Sequence, residues 1–495
     1  MPWLLFLVNV VSAMTSANEI ADYFRNCLSS GSSVYLTSDP ASVNATTPRW
    51  DLWSAPTYIV AVKPALRGDV QKVIEYASQK NIPFLTTGGG HGYSGTLGAI
   101  KDGIQLDMGN FNTVFVDADK NLMTAGGSLR FRDVAAAAHA KGKSTTIGAC
   151  SCVGIGGATL GGGIGFYSGL YGAISDSLHS VDIVTGTGEL LTASDTENQD
   201  LFWGIKGAGF NFGSVTSFTY RVHDQPNGGM VMNADMTFTG AQNASIWEFS
   251  KTMLGTQPPE LSLVFAMRYD PEKSDIAIIV NAIYAGPLED GKALLEPLLK
   301  LEPTNVAISY IPWKDAPDTA VYGITKMTCA SSYTYVPHAI NLYDINVEAL
   351  SELTKHVYNV TSTTPAVQGT LFTFTQYASQ GFRANSDANM TAKGRVGSSF
   401  PYREPTVFVQ IDGLSFDPSS VDALDAFGNE IRAQLLELSG QNHLELYSNF
   451  ARGDEGAEAW YGTENLPRLQ ALKARYDPKG LFSFYNPIGG GKQED

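Results

Sequence analysis

The sequence predicts an α+β protein with more than one domain, and three observations carry that expectation. From about Ala55 to His223, short β-branched runs alternate with Gly-rich turns and a few helices. From about Gly228 to Asn442 the texture changes to long alternating strands and amphipathic helical stripes. At 495 residues the chain is too long for one core and comfortable for two or three.

In the first stretch, TYIVAVKP, the GIQLDM run and SVDIVTG read as strands. In the second, Leu261, Leu263, Phe265, Met267 and Tyr269 alternate along one strand, and Ile276, Ile278, Val280, Ala282 and Tyr284 along the next. Asp270 to Lys273 turns between them, which predicts an antiparallel hairpin. Leu424, Phe427, Ile431, Leu435 and Leu438 form one helical apolar stripe, ended by Gly440. This domain is therefore an antiparallel sheet covered by helices. A last stretch, from Leu444, carries the helix NLPRLQALKARYDP and an aromatic, Gly-rich tail.

Composition excludes several classes. An apolar fraction of 43% with only 17% charged residues rules out a disordered chain. The net charge of −16 would repel a phosphate backbone, so nucleic-acid binding is not expected. No internal apolar run reaches the roughly 20 residues that span a bilayer. Leu4 to Ala13 reads as the apolar core of a secretory signal peptide, with cleavage between about Ala13 and Ala17; an N-terminal strand or buried helix is the alternative. The destination is then secreted or within the secretory pathway. The N-x-S/T sites at Asn44, Asn243, Asn359 and Asn389 permit glycosylation without arguing for it.

The four cysteines, Cys27, Cys150, Cys152 and Cys329, are too few for a disulfide scaffold at this length, and CSC lacks the spacer of a zinc or redox knuckle. H-E-x-x-H and G-x-S-x-G are absent, so neither a metalloprotease nor a serine-hydrolase elbow is expected. Gly142-Lys143-Ser144 ends like a P-loop, but the first glycine that loop needs is Ala137. No metal site is expected.

Two segments are too glycine-dense for ordinary loops. One is Thr86-Thr87-Gly88-Gly89-Gly90-His91-Gly92-Tyr93-Ser94-Gly95; the other runs from Gly148 through Cys150, Cys152, Val153, Gly154 and Gly157 to Gly163. Consecutive glycines leave N–H groups uncovered, so the backbone can wrap a phosphate; tight turn packing is the plainer alternative. Neither reads as a G-x-G-x-x-G that opens a crossover helix, which argues against a Rossmann nicotinamide site.

GGGHGYSG, then GACSCVGIGGATLGGGIG, then NQDLFWGIKGAGFNFGSVTSF resemble the FAD-linked oxidases of the berberine bridge enzyme-like family, within the vanillyl-alcohol oxidase superfamily. The C-terminal YSNF and RYDPKGLF segments extend the likeness. The resemblance implies a two-part FAD-binding domain, residues 18–225 completed by 444–495, around a substrate domain at 226–443, after a signal peptide at 1–17. It implies that Thr87, Gly88, Gly89, Gly90, Gly92 and Tyr93 belong to the FAD cradle and that His91 bonds the flavin 8α-methyl group. In bicovalent members a cysteine bonds flavin C6, and Cys150 matches it in register. Gly154, Gly157, Asp176 and Val215 match positions lining the FAD site. Cys152 reads as a buried thiol. A histidine and a thiolate are nucleophiles able to add to an electron-poor ring.

Catalysis departs from the pattern. Sugar-oxidising relatives carry YxNY with its second tyrosine as base, but here the string is Tyr447-Ser448-Asn449-Phe450, and phenylalanine accepts no proton. Their supporting acid is not found on Phe372-Thr373-Phe374-Thr375-Gln376-Tyr377. Tyr171-Gly172 matches the KYG-type string of plant-like members, so Tyr447 and Tyr171 are the candidate proton handlers. Each has an ordinary pKa of about 10 and needs a stabilised anion to act. Val153 matches the small residue that leaves room for oxygen. The expected activity is hydride removal from a small neutral molecule with electrons passing to dioxygen, and Phe372, Phe374, Tyr377 and Phe400 favour a partly aromatic or alicyclic substrate. An oligosaccharide oxidase is the runner-up, and a flavin-carrying binding protein without turnover the third reading. No protein partner is implied.

Overall fold

The computed structural model describes residues 16–489 apart from 328 and 330–333. The expected signal segment, Leu4 to Ala13, lies outside the described residues. Ser16 caps the helix Ala17–Cys27 in a reciprocal box with Glu19, so the expected cleavage window ends where this helix begins.

Two small sheets build the N-terminal half. Strands β1 (Ser33–Leu36), β2 (Tyr58–Lys63), β3 (Phe84–Thr87) and β4 (Gly103–Asp107) lie in the order β1-β2-β4-β3. The β2–β4 and β3–β4 pairs are parallel, so β2 needs a crossover to reach β3, and the helix Arg67–Lys80 supplies it. Its Val70, Val73, Ile74 and Ala77 pack with Val60, Val62, Ile104 and Leu106. The second sheet is β5 (Val114–Asp117), β6 (Leu122–Gly126), β8 (Leu178–Thr185), β9 (Leu190–Ser194) and β10 (Gly213–Arg221), in the order β5-β6-β10-β8-β9. A separate two-residue ladder pairs β7 (Lys143–Ser144) with β11 (His223–Asp224).

The remaining strands form one seven-stranded antiparallel sheet. They are β12 (Met230–Thr239), β13 (Leu261–Asp270), β14 (Asp275–Tyr284), β15 (Asn305–Pro312), β16 (Thr334–Leu342), β17 (Leu371–Tyr377) and β18 (Val407–Ser415). Their order is β15-β12-β14-β13-β17-β18-β16. The expected hairpin is β13–β14, closed at Asp270 and Asp275. The helices Asn243–Met253, Val347–Thr363 and Val421–Ser439 bury one face, where Trp247, Leu353, Phe427 and Ile431 share a core with Phe265, Phe372, Phe374 and Val409. Gly440, at φ 68°, ends the last of these helices. Leu438 departs from the expected stripe and is 39% exposed, in the final turn before that glycine.

The chain then returns to its N-terminal half. Leu446, Ala451, Trp460 and Leu469 share a core with Ile147, Phe166, Phe202 and Trp203. A smaller cluster joins the halves, setting Ile164 and Ala173 against Tyr377, Phe400, Phe408 and Tyr447. Among the described residues no helix is long and apolar enough to cross a membrane. Asn44, Asn359 and Asn389 are exposed, whereas Asn243 is buried and donates its amide to the Gly240 carbonyl at 2.6 Å, so it is no glycan acceptor.

Candidate active site

The uncovered sheet face and the two glycine clusters enclose one continuous cleft of about 520 Å³. The first cluster follows β3 directly, and Gly88, Gly89, Gly90 and Gly92 all line the cleft. It meets the second cluster backbone to backbone: a Cβ on Gly89 would stand 2.6 Å from the Gly154 nitrogen and 2.7 Å from its Cα. Gly90 takes φ +77°, and a Cβ there would strike the Pro48 carbonyl oxygen. Such loops present bare N–H groups to a ligand. Arg49 Nε, in the same wall, is buried without a hydrogen-bond partner. Buried polar atoms are ordinarily paired, so this one marks where a polar ligand completes the wall. Gly157 has open space where its Cβ would be, and Val153, Gly154 and Val215 line the same cleft.

His91 and Cys150 both reach this cleft. Burial, with Arg130, Arg49 and Arg132 nearby, lowers the His91 pKa to about 3. Its imidazole is therefore neutral, with a lone pair free for bonding. Trp50 stacks on it at 5.4 Å, and Arg49 fixes the loop by donating to the Gly92 carbonyl. A thiolate at Cys150 raises the proton affinity of Arg130, which places a cation within electrostatic reach of that sulfur. The reading of Cys152 as a buried thiol is corrected: Cys152 is disulfide-bonded to Cys329, across 177 residues. The bond ties the second glycine cluster to the segment carrying Ala320, Val321, Ile324 and Thr325, which walls the cleft. Cys150 stands outside it, its sulfur 3.4 Å from that of Cys152.

Two expected site residues lie elsewhere. Asp176 does not line the cleft; its carboxylate pairs with Arg403 at 2.6 Å and accepts from the Ala173 N–H at 2.9 Å, so it joins the two domains. Tyr171 is likewise absent from the lining. Its ring stacks on His223 at 3.9 Å, because the short helix Ser168–Tyr171 turns it toward the β7–β11 ladder.

Tyr447 does line the cleft, within an aromatic box of Phe400, Phe408 and Phe450. Its hydroxyl meets the Asn449 amide at 2.6 Å, and burial raises its pKa above the usual range. The aromatics expected to face the substrate divide by strand period. Along β17, Phe372 and Phe374 enter the helix-covered core while Leu371, Thr373, Thr375 and Tyr377 face the cleft. Phe400 belongs to the interdomain cluster, not the lining. The acid absent from β17 stands on the next strand: Gln410, Asp412 and Leu414 of β18 face the cleft. The Tyr335 hydroxyl donates to Asp412 Oδ1, and burial pushes the Asp412 pKa up to about 7. Sequence reasoning missed Asp412, although an acid on the polar phase of VFVQIDGLS was a visible signal.

An uncovered glycine cradle, a neutral histidine and a cation-flanked cysteine in one apolar cleft fit FAD, and they define a flavin-dependent oxidoreductase. Residues 58–194 match the family described as FAD binding domain, and residues 446–489 that described as berberine and berberine like. The FAD-linked oxidoreductase azaL of Aspergillus niger is 37% identical over 472 residues, 95% of this chain and 98% of that one. Two solved structures share the fold. Physcomitrella patens BBE-like 1 has a TM-score of 0.79 at 20% identity, covering 96% of this chain and 100% of that one. The xylooligosaccharide oxidase of Myceliophthora thermophila has a TM-score of 0.77 at 21% identity, covering 97% and 100%. The chain belongs to the berberine bridge enzyme-like family of FAD-linked oxidoreductases.

Proposed function

We propose that this protein is a secreted oxidase that removes a hydride from a hydroxyl-bearing carbon of a small neutral molecule and delivers the electrons to dioxygen, giving hydrogen peroxide. Bound FAD supplies the two-electron acceptor. The carrying observation is the composition of the cleft: Val264, Ala266, Leu371, Tyr377 and Phe450 make it apolar, with Asp412 as the one carboxylate among its described lining residues. Such a wall suits an alicyclic or aromatic alcohol. The sugar-oxidase reading has one supporting observation, the fold shared with the xylooligosaccharide oxidase, and Phe450 in place of a basic tyrosine counts against it. Anaerobic mixing with benzyl alcohol, cyclohexanol and cellobiose separates the readings: the first two should bleach the flavin. Bleaching by cellobiose alone transfers the function to sugars, and no bleaching leaves the carrier reading.

His91 and Cys150 are proposed to hold FAD covalently, and Val153 to leave the oxygen path open. Packed interiors transmit a one-methylene change in volume. Val153→Leu should therefore slow reoxidation of the reduced flavin and peroxide formation while leaving anaerobic reduction nearly unchanged. Stopped-flow of the two half-reactions reads this; equal slowing of both would mark Val153 as ordinary packing.

Export is supported by the apolar N-terminal segment and by the Cys152–Cys329 bond, a linkage that persists in oxidising compartments. N-terminal sequencing of the exported protein should begin between about Ala13 and Ala17; an intact Met1 on active protein would count against export.

A further inference from the structure

We propose that Asp412 is the proton acceptor of the reaction and that Tyr335 is its positioning residue, the pair standing in for the tyrosine missing at Phe450. This rests on the reading of the protein as an oxidase of hydroxylated substrates.

Three strands fix the carboxyl. Asp412 lies on β18 between Gln410 and Leu414, half-buried and facing the cleft. Tyr335, diagonal to it across the β16–β18 pair, donates its hydroxyl to Oδ1, and the Thr373 hydroxyl of β17 bonds the same carboxyl. Tyr335 is itself clamped. Its N–H donates to Asp51 Oδ1 at 3.0 Å, and its ring packs edge-on against Tyr93 at 4.8 Å and Trp50 at 5.2 Å. Through Trp50, which stacks on His91, the carboxyl is tied to the loop that holds the cofactor.

The surroundings suit a base. Tyr335 and Thr373 act on the carboxyl through hydrogen bonds that lower its proton affinity, but desolvation exceeds both. Tyr93, from the first glycine cluster, and Asp51 are the other titratable groups around Tyr335; no guanidinium or ammonium is among the groups shifting Asp412. An acceptor that titrates near neutrality is better matched to a hydroxyl proton at neutral pH than a tyrosine. Tyr447, the alternative, has its proton affinity raised by burial, and no cation is among the groups that shift it.

In the step, the substrate O–H bond breaks and its proton passes to the Asp412 carboxylate. Bound FAD would accept the hydrogen of the adjacent C–H bond with its electron pair as hydride, while the electron pair of the broken O–H bond becomes the second carbon–oxygen bond. The proton then returns from Asp412 to solvent.

The test uses the holoenzyme. Infrared difference spectra between pH 5 and 9 should show two buried carboxyls titrating near pH 7, those of Asp412 and Asp51, of which one disappears in Asp412→Asn and that same one moves upward in Tyr335→Phe. Asp412→Asn, with flavin content unchanged, should slow anaerobic bleaching by benzyl alcohol or cyclohexanol about 10²-fold or more. It should also abolish the loss of rate below pH 7, whereas Tyr447→Phe should keep that acid limb. Bleaching by Asp412→Asn at close to the wild-type rate, or an acid limb that survives in it, overturns the assignment. If Asp412→Asn fails to hold flavin, Tyr335→Phe decides: an unmoved acid limb overturns the pair. Wild-type flavin that neither alcohol bleaches overturns the functional reading itself, and with it this step; the infrared arm then still reports whether Asp412 carries the proton.

Discussion

Wild-type protein precipitated in acid is expected to keep all of its yellow colour in the pellet, and the double variant His91→Ala/Cys150→Ala is expected to release it entirely. The reason lies in two nucleophiles that approach one cleft from separate loops. His91 is held neutral by burial and by three neighbouring guanidinium groups, so its ring nitrogen is available for bonding rather than protonated. Cys150 lines the same cleft with Arg130 within electrostatic reach, and sulfur is the second nucleophile there. Either single variant leaves one tether, so each should also keep its colour on denaturation, with an altered absorption spectrum. Absorbance of pellet and supernatant after precipitation measures the outcome. Free FAD in the supernatant of denatured wild-type protein would refute covalent attachment, while leaving FAD binding itself intact.

Gly89→Ala should cost the protein its cofactor. A methyl group there would sit 2.6 Å from the Gly154 nitrogen, well inside van der Waals contact and against backbone that cannot rotate away. Overpacking of this kind costs about 1–3 kcal/mol, or about 5- to 150-fold in the equilibrium that closes the two loops around FAD. Gly157→Ala is the informative companion. Its Cβ would meet no protein atom within 4 Å and would project from an exposed position into the cleft wall. Its fold should therefore be undisturbed, and its flavin content should fall only if the cofactor occupies that space. Flavin-to-protein absorbance ratios, read beside thermal unfolding, separate the two cases. Full loading of Gly89→Ala would mean that the loop contact is dispensable.

What local chemistry dictates was legible in the chain. The alternation along Leu261–Tyr284 yields its hairpin because side chains on a strand repeat every two residues, whatever surrounds them. The Leu424–Leu435 stripe and Gly440 likewise define a helix and its end from short-range spacing. Glycine density alone marked both loops that shape the cleft, and family resemblance placed His91 and Cys150 in them.

The tertiary structure decided everything that depends on which segments meet. Asp412 and Tyr335 are 77 residues apart, and only the β16–β18 register brings the hydroxyl to the carboxyl. Which phase of β17 faces the cleft was equally invisible, because Phe372 and Thr373 differ by one position and the helices choose the face they cover. Tyr171 and Asp176 lie close in sequence to the second glycine cluster, yet chain direction after Ser168 carries them away from it. The pairing of Cys152 with Cys329 joins positions whose sequence separation gives no hint of contact. Local pattern thus determined the elements and the cofactor loops, while packing between distant strands determined which residues can touch a substrate.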